Sequence, residues 1–131
     1  MSDAVFTFTY DTDYRPALPI IEMGISVINP DAGEISDSAI VDSGSDVTLI
    51  PVTILRRMGS TSVGNAVLSE AWGTERRINV YLVNVRIGSH VVRGVRVLGV
   101  SDDEEAILGR NVLNQLVVTL DGPAATTMVA A

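Results

Sequence analysis

Cysteine is absent from the 131 residues, and so is lysine, all nine basic residues being arginine. The first absence excludes disulfides, zinc–thiolate sites and thiol catalysis together, and leaves the redox compartment undetermined. Aromatics are scarce at 5%, with one Trp, three Tyr and two Phe, too few for the stacked platforms that sugar-cleaving enzymes use. One histidine, His90, falls on an expected turn and has neither a second His nor a Cys to share a metal with, so no metal and no cofactor are expected. Nowhere do 18 apolar residues run together, and the opening MSDAVF carries an acid where a secretory leader would be basic, which gives a cytoplasmic protein without a membrane partner as the expectation. Positive charge is also in deficit: the net charge is −7, so the surrounding field repels phosphate backbones and nucleic acid is not an expected partner.

What the chain does have is valine in short runs bounded by Gly, Pro, Asn and Asp, with 47% hydrophobic residues against 19% charged. That is the pattern of a mainly β domain, of a length that makes one core and no second lobe. Residues 4–10 alternate, Ala4, Phe6, Phe8 and Tyr10 against Val5, Thr7 and Thr9, and read as a strand on an N-terminal extension, 1–14. Segments 20–28 and 34–41 read as a hairpin joined by the turn residues 29–33, which include the acid Asp31. Pro51, the run VTILRRM and Gly59 mark a short helix. Residues 60–65 read as a loop, 67–70 and 77–87 as a long hairpin around AWGT (71–74), and 91–100 as another strand. The acidic run 101–105 reads as a loop, 111–116 as a short helix near the C-terminus and 117–120 as a last strand. Residues 123–131, PAATTMVAA, read as a flexible tail after a domain spanning 15–122.

Two segments carry chemistry. Residues 40–50 read IVDSGSDVTLI and residues 107–116 read ILGRNVLNQL. The first places Asp42 on a sharp Gly turn between two apolar runs, although Asp is disfavoured in strands and costly to desolvate; a carboxylate built there is wanted there. A lone DSG triplet is common by chance. Paired with ILGRN at this separation, within a short valine-rich chain, it resembles the retropepsins, single-domain aspartic peptidases related to retroviral proteases, from about Arg15 to Gly122.

The resemblance implies a closed β-barrel of the acid-protease type with a short C-terminal helix, active as a twofold homodimer on peptide or protein substrates. Asp42, Ser43 and Gly44 take the catalytic positions, one Asp42 from each subunit flanking a water. Ser43 would donate its hydroxyl across the dimer axis, and Gly44 lets the backbone pass close to substrate. Ser45 is expected to hydrogen-bond the Asp42 carboxylate, lowering the pH at which the pair works, and Asp46 to face the substrate backbone while pairing with Arg110. Thr119 and Leu120 match the terminal strand that meets its symmetry mate. Trp72 and Gly73 match the tip of a flap over the substrate, with a core Trp as the competing reading. Glu105 and Ile107 match a loop and strand lining side-chain pockets, with a solvated loop as the competing reading of 101–105. A non-catalytic homodimeric peptide-binding module on the same fold remains the alternative function, because fold does not fix chemistry.

Overall fold

The structure is a computed structural model that describes residues 4–29, 33–69 and 72–131. Asp31, within the 29–33 turn, and Ala71, within the AWGT segment, lie outside the described residues. The elements run β1 (Phe6–Thr9), β2 (Ile20–Ser26), β3 (Glu34–Val41), β4 (Thr48–Pro51), α1 (Val52–Arg57), β5 (Gly64–Ser69), β6 (Glu75–Ile87), β7 (His90–Val100), β8 (Ala106–Leu108), α2 (Arg110–Leu113), β9 (Val117–Asp121) and β10 (Thr126–Ala130). The mainly β expectation holds, and both short helices form.

Strand order β2-β3-β8-β4-β7-β6-β5, with β2 also paired to β6, makes a closed barrel from which β5 hangs off the far half of β6. The long strand β6 makes this possible. Its residues 84–86 pair with β2 and close the barrel, while its residues 75–80 pair with β5 as a hairpin arm. Between the two halves the register against β7 shifts at Val83–Val85, and an irregularity of this kind bends a strand away from its sheet.

Alternation along the strands sends Ile21, Ile25, Ile50, Val83, Val85, Ile87, Val97 and Leu108 into the barrel, each fully buried, and each such side chain contributes about 1.5–3 kcal/mol of apolar burial. Helix α1 adds Leu55 to the same core. It starts after Pro51, whose fixed φ suits a helix entry, and ends before Gly59 at φ 74°. Side-chain pairing stitches the barrel where it closes: Arg86 of β6 grips Glu34 of β3, with N–O distances from 2.5 Å. The Glu34 carboxylate lies where a Cβ on Gly24 would be, 2.3 Å away, so only glycine fits beneath it.

The C-terminal tail expectation is corrected. Residues 126–130 form β10, the middle strand of a three-stranded antiparallel sheet, order β1-β10-β9. Thr127 and Val129 are fully buried, and the chain reverses through 122–125 with Ala125 at φ 53°. The reason is tertiary: once β1 and β9 flank the segment, the β-branched Thr127 and Val129, two residues apart, turn inward together. The divisions at 14/15 and 122/123 therefore separate no structural units, since β1 and β10 pair from Phe6–Val129 to Thr9–Thr126. The sheet is anchored on the barrel by Phe6, whose ring covers Gly88 and meets His90 edge-on at 5.3 Å. His90 itself opens β7, is buried, and places Nε2 3.1 Å from the Ala4 carbonyl. Strand β5 also begins earlier than expected, at Gly64 rather than at Val67.

Candidate active site

Parallel pairing of β3 with β8 sets the site. Val41 lies beside Leu108, so the two chain segments that carry the sequence motifs end side by side. Immediately beyond, the Asp42 N–H donates to the Leu108 carbonyl at 3.1 Å. The chain then turns: Ser45 N–H donates to the Asp42 carbonyl at 3.2 Å, and Gly44 N–H donates to Asp42 Oδ1 at 2.9 Å. Asp42 is half-buried, with Ser43 and Gly44 exposed beside it. Among the described residues the Gly44 N–H is the hydrogen-bond partner of the Asp42 side chain, and no arginine pairs with it.

The loop is bolted to the start of α2 from below. Arg110 N–H donates to the Ser45 carbonyl at 2.8 Å, and the Arg110 guanidinium donates to the Ser43 carbonyl at 2.7 Å. Thr48, fully buried, donates its hydroxyl to Asn111 Oδ1 at 2.8 Å and accepts the Gly109 N–H at 3.1 Å. Asn111 carries the chain of bonds on to β7 by donating to the Arg96 carbonyl at 2.8 Å. Gly109 has no alternative: a Cβ there would sit 2.2 Å from the Val47 carbonyl oxygen and 2.9 Å from that of Ser45. Thr48 and Asn111 were not singled out in the sequence. The available signal was a hydroxyl, Thr48, inside the otherwise apolar run 47–51, which a core strand tolerates only when the hydroxyl is fully bonded.

Two expected contacts are corrected. Ser45 does not bond the Asp42 carboxylate; its hydroxyl donates to the Val47 carbonyl at 2.6 Å, because an acceptor two residues ahead in the same turn is closer than the carboxylate behind it. Nor does Asp46 pair with Arg110. The Arg110 backbone is held at Ser45, so its guanidinium falls back on Ser43, while Asp46, exposed, faces a cavity of about 460 Å³ shared with Val47, Ala66, Leu68, Val80, Arg96 and Asn111.

That cavity runs between the loop and the β5–β6 hairpin, which arches over it as an arm. Trp72 and Gly73 stand at the arm's tip; Trp72 is 95% exposed, which rules out the core reading, and Gly73 has φ 79°. Ile107 lies in β8 between Ile40 and Leu49 and is half-buried. Glu105 is exposed and lines a separate cavity of about 530 Å³ with Asp37, Ile40, Ile54 and Asp102. Burial there pushes the Asp37 carboxyl up, against the Ser38 N–H that pulls it down, with nearby Glu22 adding to the rise. Glu104, the neighbour of Glu105, is bound to Arg76 of the arm, and that bond, helped by Ser101, holds its carboxyl below the usual glutamate range against a small cost of burial. Thr119 and Leu120 lie on β9, exposed, at an edge of the three-stranded sheet. Among the described residues no cluster of His, Cys, Asp or Glu is arranged to hold a metal, and no helix is long and apolar enough to cross a membrane.

The chain resembles solved structures over most of its length. A retropepsin-like aspartic protease from Rickettsia conorii superposes with a TM-score of 0.67 at 14% identity, covering 96% of this chain and 89% of that one. The EIAV protease complexed with the inhibitor HBY-793 gives 0.62 at 16% identity, over 82% of this chain and 93% of that one. A foamy viral protease-reverse transcriptase in complex with an RNA/DNA hybrid gives 0.55 at 15% identity, over 75% of this chain and 12% of that one. At such identities these likenesses speak for the fold. No curated protein matches in sequence. The model of the gag-polyprotein putative aspartyl protease family, however, matches residues 33–115, a stretch that runs from the start of β3 through the Asp42 loop, the arm and α2. With the Asp42 turn and the Gly109–Arg110 junction inside that match, the chain belongs to the gag-polyprotein aspartyl protease family.

Proposed function

We propose that the protein is an aspartic endopeptidase that works as a twofold homodimer, with Asp42 of each subunit flanking the attacking water. The observation that carries this reading is the setting of Asp42: a carboxylate on a braced turn, bonded on one oxygen by Gly44 N–H and, among the described residues, paired with no cation, with Asp46 and Val47 of the same loop facing the cavity under the hairpin arm. Peptide hydrolysis by carboxylates needs two of them sharing a proton, one as base and one as acid. About 3 Å apart, at an effective dielectric near 20, two charged carboxylates would repel by roughly 5 kcal/mol, so one stays protonated over a wide pH range. The chain supplies one Asp42, and an isologous contact supplies the second.

Strand β9 supports the dimer. It ends the β1-β10-β9 sheet with an open edge and exposes Val117 at 59% and Leu120 at 52%, and a strand edge with apolar side chains is a template for a further strand. Ser43, exposed at the turn, is available to donate across the twofold axis, and Trp72 at the arm's tip to close over bound peptide and exclude water.

The test is cleavage of a peptide library by wild type and Asp42→Asn. The amide fills the same volume but cannot act as base, so activity should fall by a factor of about 10² to 10⁴ with the fold unchanged by circular dichroism. Peptide binding that survives in a wild type without turnover would assign the fold to a binding module instead. Specific activity should also fall on dilution below the dimer dissociation constant. Leu120→Glu, at a side chain 52% exposed, should give a folded and inactive monomer by sedimentation; full activity in that monomer would overturn the shared site.

A further inference from the structure

Among the described residues, an ion pair between Arg76 and Glu104 fastens the arm over the cleft to the 101–105 loop. The hairpin arm leaves the barrel at Val80, where the Val63 N–H still donates to the Val80 carbonyl at 2.8 Å, and beyond that point β5 pairs with β6 alone. Across the arm Gly64 faces Val80, Ala66 faces Ile78 and Leu68 faces Arg76. Val80 is buried and the others are half-buried, while Asn65, Val67, Arg77 and Asn79 between them are exposed. Residues directly opposite share a face, so Arg76 lies on the less exposed face of the arm, with Ala66, Leu68, Ile78 and Val80. From there its guanidinium donates to Glu104 Oε1 at 3.0 Å and to Oε2 at 3.4 Å. Among the described residues this is the one ion pair that joins the arm to another element.

Glu104 is set in advance to receive it. The Ser101 N–H and hydroxyl both donate to Glu104 Oε2, at 3.1 and 3.0 Å, and the Glu104 N–H donates to the Ser101 carbonyl at 3.0 Å. An acceptor already fixed by its own turn loses little rotamer freedom when the guanidinium arrives. A loop read as merely solvated would not hold a carboxylate in this way, and a loop that selected basic substrates through Glu104 would leave it open.

We propose that Arg76 and Glu104 are positioning residues, a latch that holds the β5–β6 arm down against the 101–105 loop and sets the height of the cleft roof. The latch is a property of the single chain. Its effect on turnover rests on the endopeptidase reading, whereas its effect on the arm does not. Side chains 36% and 39% exposed make it a weak bond, which suits a roof that has to lift: a pair at such exposure shifts an open–closed equilibrium by about twofold to fivefold.

The experiment is a double-mutant cycle of Arg76→Gln and Glu104→Gln in the full chain, read by amide hydrogen exchange of residues 64–80 and, in parallel, by peptide cleavage. Each single variant should speed exchange in the arm about twofold to fivefold, the double variant no more than either single, and Arg76→Lys should restore part of the protection. Cleavage should show a KM raised by a similar factor and a kcat within about twofold of wild type, since Asp42 is untouched. Strictly additive effects of the two substitutions, or arm exchange unchanged in both, would overturn the latch. Because Glu104→Gln also loosens the Ser101 turn, Ser101→Ala serves as a second variant: a latch effect that it reproduces in full, with Arg76→Gln silent, would assign the carboxylate to its own loop and overturn the proposal as well. Coupled exchange in a chain that cleaves nothing would leave the latch standing and sink the endopeptidase reading, and cleavage without coupling would do the reverse.

Discussion

The floor of the cleft and its roof are built to opposite rules. The Asp42 loop is tied to α2, β8 and β7 by hydrogen bonds from Asp42, Arg110, Gly109, Thr48 and Asn111, that of Gly109 to Thr48 buried and that of Thr48 to Asn111 partly so. The longer β5–β6 arm is tied to the barrel by its own strand β6 and by the Arg76–Glu104 pair at a half-exposed position. Buried bonds without a competing water are costly to lose. Exposed ones exchange readily with solvent. The contrast places geometric precision where a carboxylate has to be aimed and leaves freedom where a peptide has to enter.

The comparison breaks most severely at Gly109. A Cβ at 2.2 Å from the Val47 carbonyl cannot be relieved by a side-chain rotation, so Gly109→Ala must push β8 and the Asp42 loop apart. A loss of about 2–4 kcal/mol in urea unfolding is expected, together with loss of the site. Thr48→Val tests the same floor more gently. Valine keeps the shape and leaves the Gly109 N–H and Asn111 Oδ1 without their buried partner, at an expected cost of about 1–3 kcal/mol. On the roof, Trp72→Ala should change stability by less than about 0.5 kcal/mol, because 95% of the side chain is already in water, while raising the KM for peptides if the tip closes on them. A floor mutation that proved as harmless as Trp72→Ala would erase the distinction.

Much of this was legible in the chain because it depends on period and turn chemistry. Alternation marked β1, turn residues marked the hairpin of β2 and β3, Pro51 and Gly59 framed α1, and an acid on a Gly turn between apolar runs marked Asp42. What escaped depends on direction. Ser45 and Asp46 lie close to Asp42 and Arg110 in space, as their spacing implies, yet the hydroxyl of Ser45 points to Val47 and the guanidinium of Arg110 to Ser43. Sequence separation predicts neighbours, and a side chain then takes whichever acceptor its rotamer reaches first. The strand β10 escaped for another reason. Its small, uncharged residues have no amphipathic signal strong enough to stand alone, and its partners β1 and β9 come from elsewhere in the chain, so its pairing is a tertiary decision. Arg76 was invisible for the same reason, its partner being 28 residues away.

The corrected position of Ser45 sharpens the floor at a finer scale. With its hydroxyl spent on Val47, Ser45→Ala removes a bond internal to the turn and none to the carboxylate. Stability should drop by about 0.5–1.5 kcal/mol, and the pH dependence of kcat/KM should superimpose on that of wild type. A profile moved by half a unit or more would return the hydroxyl to the Asp42 carboxylate and contradict the contact seen here.

The smallest expected effect belongs to the roof, and its sign follows from the ionisation of Glu104. Arg76, then Ser101, hold that carboxyl below its ordinary value of 4.5. A group whose folded value is depressed contributes its stabilisation above the unfolded value and loses it as pH falls through the folded one. The latch should therefore be whole at neutral pH and weaken only below about 4.5, as Glu104 takes up a proton that Arg76 cannot share. Other groups titrate in the same range. Asp102 is held low by Thr53 and Arg56, and Asp37 is raised by burial. Asp42 itself is removed by working in Asp42→Asn. Protection factors of the arm amides, which divide out the intrinsic pH dependence of exchange, should then fall no more than about fivefold on acidification, while those of β4 and β8 beneath the site stay level. Glu104→Gln should flatten the arm's response, since the amide has no proton to gain. An arm that loosened equally in the wild type and in Glu104→Gln would place the acid response in Asp37 or Asp102, and an arm that tightened on acidification would reverse the sign on which the latch depends.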